Sequence, residues 1–135
     1  METPTSVLHI ATSPNGGAGI AARRLHEALR ASGTASRMVV KNGGAAGSDI
    51  VQPSSAAGKR RLPEKLGATK LRMERKLTSK AVSRKLAYFS DDRVPGADKL
   101  VGRPDAEVIN LHWVANFLDY GKFFPTLKEG QPIVW

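Results

Sequence analysis

The stretch that most constrains the fold is the first third of the chain. "SVLHIAT" (Ser6–Thr12) is a short apolar run bounded by Pro4 and Pro14, the pattern of a buried strand. "SPNGG" follows. Its Pro bends the chain and its Asn-Gly-Gly gives access to positive φ. From Ala18 to Ser32 the pattern is helical, with Ile20, Leu25, Ala28 and Leu29 predicted on the apolar face and Arg23, Arg24, Glu27 and Arg30 mostly away from it. Gly33 suits the position just past a helix C-terminus. "SRMVVK" (Ser36–Lys41) reads as a second strand. Strand, helix, strand in so short a span is a βαβ unit, which builds a parallel sheet.

The rest of the chain extends this plan. "NGGAAGSDIVQPSSAAGKRR" reads as a loop holding a short strand at Ile50-Val51. Residues 62–88 form a helical stretch with a heavy basic load. "FSDDRVPGADKLVGRPD" is a polar connection with a short helix near 97–101. "AEVINLHWV" (Ala106–Val114) is a third full strand. "FLDYGKFFPTLKEG" predicts a short helix stopped by Gly, and "QPIVW" opens another strand. The expected architecture is α/β: a Rossmann-like parallel sheet with flanking helices in one domain, residues 1–135, with a basic helical segment over residues 59–88. No internal repeat is visible.

A glycine turn between a strand and a helix is a phosphate-binding arrangement. The first helical N–H groups have no intrahelical partner, the helix dipole adds positive potential, and Gly16, Gly17 and Gly19 lack a Cβ. Three phosphate ligands compete. A P-loop requires G-x-x-x-x-G-K-S/T, and no Lys follows the glycines at that spacing. Gly17-Ala18-Gly19-Ile20-Ala21-Ala22 fits the loose dinucleotide pattern. That pattern wants an acidic residue about twenty positions on, for the ribose. The second strand instead ends in Val39-Val40-Lys41-Asn42, which argues against NAD and leaves NADP open through Lys41. The third ligand is the pyrophosphate of a nucleotide sugar. A plain βα turn without ligand is the bland alternative.

Charge adds a second theme. The chain has 21 Lys and Arg against 12 Asp and Glu, a formal net charge of +9, which points to an anionic partner. There is no cysteine, so neither disulfides nor thiolate chemistry enter. The N-terminus lacks the pattern of a signal peptide and no apolar run reaches membrane-spanning length. Residues 62–85 carry most of the excess charge around Leu66, Leu71, Met73 and Leu77. They read as a solvated helix face, as a membrane-surface helix with Lys70, Arg72, Arg75 and Lys76 toward anionic lipid, or as a nucleic-acid contact. The third is disfavoured, because no aromatic residue precedes Tyr88 and no nucleic-acid-binding motif occurs.

"VLHIATSPNGGAGIAARRLHEALRASGTASRMVV", together with "DAEVINLHWVANFLDYGKFF" and "PIVW", resembles the N-terminal domain of family-4 glycosyltransferases of the GT-B fold. The likeness is greatest to a bacterial branch that builds exopolysaccharide and surface glycans. It covers both ends of the chain and the basic middle poorly. It implies a retaining transferase that needs no cofactor or bound metal. The partners would be a nucleotide-sugar donor and a glycan or lipid-linked acceptor. Gly16 and Gly17 would lie beside the donor pyrophosphate, with Asn15 and Gly19 shaping the loop, and His112, Trp113 and Asn116 would line the acceptor side. The family continues past this point into an active-site histidine and a C-terminal donor domain. The resemblance therefore implies a partial N-terminal domain, inactive alone, with catalytic groups beyond Trp135. The location it implies is cytoplasmic, with peripheral attachment at the inner face of the plasma membrane if the basic helix docks there. The rival functions are an NADP-dependent oxidoreductase and a non-enzymatic basic module for membrane or nucleic acid.

His9, His26 and His112 are the only histidines, and their spacing gives no metal motif. His9 is expected as a hydrogen-bonded core residue, His26 at the surface, and His112 at the ligand end of its strand. No nucleophile elbow occurs. Asp91-Asp92 reads as a solvated turn or helix cap.

Overall fold

The computed structural model describes residues 5–44, 49–53, 66, 69–70, 72–74, 76–77 and 104–135. The regular elements are β1 (Ser6–Ala11), α1 (Gly17–Ala31), β2 (Ala35–Val40), β3 (Ile50–Val51), β4 (Val108–Leu111), α2 (Tyr120–Phe123), a 3₁₀ turn (Phe124–Thr126) and β5 (Ile133–Val134). Residues 66, 69–70, 72–74 and 76–77 are helical as well. Arg75, Asp91-Asp92 and the expected short helix near 97–101 lie outside the described residues.

The five strands form one sheet in the order β3-β2-β1-β4-β5, and every pairing is parallel. This is an α/β, Rossmann-like sheet. β1 is central. It pairs with β2 from Ser6↔Ala35 to Ala11↔Val40, and with β4 from Val7↔Val108 to Ile10↔Leu111. The chain leaves β1 toward β2 and β3, then returns to the other side of β1 as β4 and moves outward to β5. The direction of winding reverses between β1 and β4.

The period-two alternation of β1 divides two cores. Leu8 and Ile10 join Val39, Ile109 and Leu111 on one face, under Val114, Phe117, Leu118 and Phe123 from the segment after β4. Ala11, Met38 and Val40 form the other core with Ala22 of α1, and Ile50 packs against it. Cover is thus provided from both faces, as a parallel sheet requires.

The buried face of α1 differs from the expected one. Ile20 and Leu25 are exposed, and the buried positions are Gly19, Ala22 and His26. The helix lies close to the backbone beneath it: a Cβ on Gly19 would fall 2.1 Å from the carbonyl oxygen of Ser13. Small residues permit that approach, whereas larger apolar residues would hold the helix off. His26 is buried because β2 offers it a partner, the Ser36 hydroxyl at 2.8 Å from Nδ1.

β4 is shorter than the Ala106–Val114 expected from its apolar run. It ends at Leu111, and the chain then turns through Asn116 at φ 58°, a left-handed conformation that Asn accepts more readily than most residues. That turn directs Phe117 and Leu118 into the core.

Candidate functional site

In open parallel sheets, ligands bind outside the carboxyl ends of the strands where the winding reverses. Here that point lies between β1 and β4. The segment leaving β1 is the glycine turn, and the segment leaving β4 is His112–Asn116. The sequence singled out both, and they are joined directly. Thr12 N–H donates to the Trp113 carbonyl at 2.8 Å, and the Thr12 hydroxyl donates to the Ala115 carbonyl at 2.8 Å. His112 N–H donates to Ile10 O at 3.0 Å.

The end of β2 closes a third side. Asn42 N–H donates to Thr12 O at 3.1 Å, and the Lys41 ammonium donates to the Asn116 carbonyl. Lys41 is therefore held to the segment after β4, a constraint on its use for a ribose phosphate.

The glycines have different jobs. Gly16 precedes α1 at φ 81°, and among the described residues a Cβ at Gly16 or Gly17 would meet nothing within 4 Å. No side chain caps the helix, and the first intrahelical bond runs from Ile20 N–H to Gly16 O. The open approach that an anion needs thus belongs to Gly16 and Gly17. Gly19 is buried against Ser13 and Pro14, so its missing Cβ serves packing. Asn15 is exposed on the turn, its N–H donating to the Ser13 hydroxyl at 3.1 Å.

The sequence did not foretell that the three histidines meet. His112 lies diagonally across from His9 on the face covered by α1, its Nε2 3.2 Å from His9 Nδ1. The rings stack at 5.4 Å between centroids and 27° between planes. His26 meets His9 edge to face at 5.9 Å. His9 is fully buried, and among the described residues its Nε2 has no hydrogen-bond partner. Burial, reinforced by His112 and then His26, pushes His9 down to about 4. Burial lowers His112 also. His26 is lowered first by burial and then by Arg30, with Glu27 opposing. All three shifts favour the neutral imidazole. Among the described residues no group of three or more acidic or histidine side chains is placed to hold a metal ion.

Trp113 is about half exposed at 53%, and Asn116 is half-buried. Lys70, Arg72 and Lys76 are exposed on the described helical residues of the basic segment. A separate depression of about 370 Å³, lined in part by Ser6, Arg30, Thr34, Arg37 and Asp105, opens at the N-terminal edge of the sheet. It lies at the wrong end of the strands for the turn and His112 to reach. Among the described residues no helix is long and apolar enough to cross a membrane.

Searches against protein-family models, curated proteins and solved structures return no match to this chain.

Proposed function

We propose that this chain is the acceptor-side domain of a retaining, nucleotide-sugar-dependent glycosyltransferase of the GT-B type, acting on a glycan or lipid-linked acceptor. One observation carries the reading. The glycine turn and His112–Asn116 flank the point between β1 and β4 where the sheet reverses its winding, and Thr12 ties them together. Gly16 and Gly17 offer the donor pyrophosphate an uncapped helix start. His112, Trp113 and Asn116, on the segment leaving β4, would supply polar and aromatic surface for a sugar. Donor selection and the catalytic groups would come from outside this domain.

The test is amide chemical-shift mapping of the ¹⁵N-labelled chain with UDP- and GDP-sugars and with NADPH. Shifts confined to residues 15–19 and 112–116 on adding a nucleotide sugar support the proposal. A response to NADPH alone would transfer the site to the oxidoreductase reading, and no response to either would remove the ligand.

A second property rests on a separate observation. Leu66, Met73 and Leu77 are 66%, 63% and 69% exposed on helical backbone. On the single helix that the sequence pattern predicts for this stretch, they would share one face. Lys70, Arg72 and Lys76 are exposed on the same described helical residues. We propose that this stripe rests on an anionic lipid surface, apolar side chains inward and cations at the headgroups.

A further inference from the structure

We infer that His112 presents a protonated Nδ1, a hydrogen-bond donor, to the ligand at the β1/β4 reversal, and that His9 is the positioning residue that holds it in that tautomer. The inference deepens the reading above, and it rests on that reading only in treating the reversal point as a ligand site.

A neutral imidazole carries one N–H and one bare nitrogen. His9 Nδ1 and His112 Nε2 lie 3.2 Å apart, so one must donate to the other. If His112 Nε2–H donated, His9 would carry its own proton on Nε2, which is buried and, among the described residues, unpartnered. If His9 Nδ1–H donates, what remains on His9 Nε2 is a bare lone pair. An orphaned buried N–H is the rarer of the two, as the census of buried backbone groups illustrates. The nearest other ring, His26, already engages Ser36 through Nδ1. His9 therefore donates from Nδ1, His112 accepts at Nε2, and the His112 proton sits on Nδ1.

Two further observations agree. A charged His9 would need a proton on Nε2 as well, and its depressed pKa keeps it neutral at physiological pH. The backbone around His112 is clamped to β1, through His112 N–H to Ile10 O and through the Trp113 carbonyl to Thr12 N–H. The His112 ring is itself stacked on His9, 5.4 Å between centroids and 27° between planes, with its Nε2 edge at His9 Nδ1. The chemical consequence is definite. His112 donates to an oxygen of the ligand, and at neutral pH it is not the base that would remove a hydroxyl proton.

The experiment is a long-range ¹H–¹⁵N correlation spectrum of the ¹⁵N-labelled chain at pH 7.5, without ligand, which distinguishes the two neutral tautomers of each imidazole. Both His9 and His112 are expected as Nδ1–H. In His9→Leu, which fills the core but accepts and donates nothing, His112 is expected to move to the Nε2–H form. A His112 that is mainly Nε2–H in the parent chain, or unchanged in His9→Leu, overturns the inference. Should His9→Leu not fold, the parent spectrum alone decides. Because no nucleotide sugar is added, failure of the glycosyltransferase reading would leave this result standing.

Discussion

Gly19 and Ser13 touch so closely that a single methyl group cannot be placed between them: a Cβ on Gly19 would stand 2.1 Å from the Ser13 carbonyl oxygen and 2.7 Å from the Pro14 carbonyl carbon. Both obstacles are backbone, so relief requires α1 to move away from the end of β1. Gly19→Ala is expected to destabilise the fold by about 3 kcal/mol, the upper end for overpacking. Gly17 faces open space in a helical conformation. Gly17→Ala is expected to be neutral or stabilising by up to about 1 kcal/mol, through a less flexible unfolded chain. Under the proposed function it nevertheless weakens nucleotide-sugar binding, because the new methyl stands where the pyrophosphate approaches. Urea titrations of the two variants, with shift mapping of Gly17→Ala, separate the packing glycine from the ligand glycine. Equal destabilisation by both would refute the division.

His9 makes stability depend on pH. Its folded pKa, about 4, lies below the ordinary 6.5. Between those values the unfolded chain binds more protons than the folded one, so stability rises with pH across that window. The contribution is complete above pH 6.5 and disappears as pH falls through about 4. It amounts to about 3 kcal/mol. The lowered pKa values of His26 and His112 act in the same direction. Urea midpoints are expected to fall steadily from pH 7 to pH 4.5, and His9→Gln should flatten that slope. A midpoint independent of pH in the parent chain would show that His9 is not buried as described.

Thr12 joins the two halves of the candidate site with one backbone and one side-chain bond, to Trp113 and Ala115. Thr12→Val keeps the shape and leaves the Ala115 carbonyl without its donor. A cost of about 1–2 kcal/mol is expected. Hydrogen exchange supplies the more specific readout. The protection of Phe117 and Leu118, whose amides bond Val114 O in the same turn, should fall more than that of Met38 in β2. A uniform loss across the sheet would indicate a general effect on the core.

How much of this was legible in the sequence depends on which physical signal was read. The apolar runs at Ser6–Thr12 and Ser36–Lys41 and the Gly stop at Gly33 gave the βαβ unit to within a residue of the observed β1 (Ser6–Ala11) and β2 (Ala35–Val40). Ile50-Val51 was also found. The face of α1 was misread because periodicity weighs large apolar residues, while this helix packs through Gly19 and Ala22. His26 was misassigned to the surface for want of Ser36, a partner on another element. The histidine row depends on strand order. Only when β4 pairs with β1, setting His9 against Asn110, does His112 become its diagonal neighbour, and no local pattern states that pairing. The glycine turn and the end of the third strand were local features that turn chemistry and apolar runs could mark; that Thr12 ties the two segments together was not.

The basic stripe makes a prediction that separates lipid docking from simple charge attraction. Exposed apolar side chains in line with cations bind a bilayer through both terms: buried area anchors the helix, and anionic headgroups concentrate it there. The chain is expected to co-sediment with vesicles containing anionic phosphatidylglycerol and to bind neutral phosphatidylcholine vesicles far less. Replacing Lys70, Arg72 and Lys76 with Gln should weaken binding and reduce its salt dependence. Replacing Leu66, Met73 and Leu77 with Ser leaves every charge in place and should release the chain from the vesicles at moderate salt. Since all three are about two-thirds exposed, that triple variant should retain the parent urea midpoint. If it binds as tightly as the parent, the stripe is a solvated face and the attraction is electrostatic alone. If double-stranded RNA competes the parent chain off the vesicles in proportion to its phosphate concentration, the basic residues serve as a general polyanion contact instead.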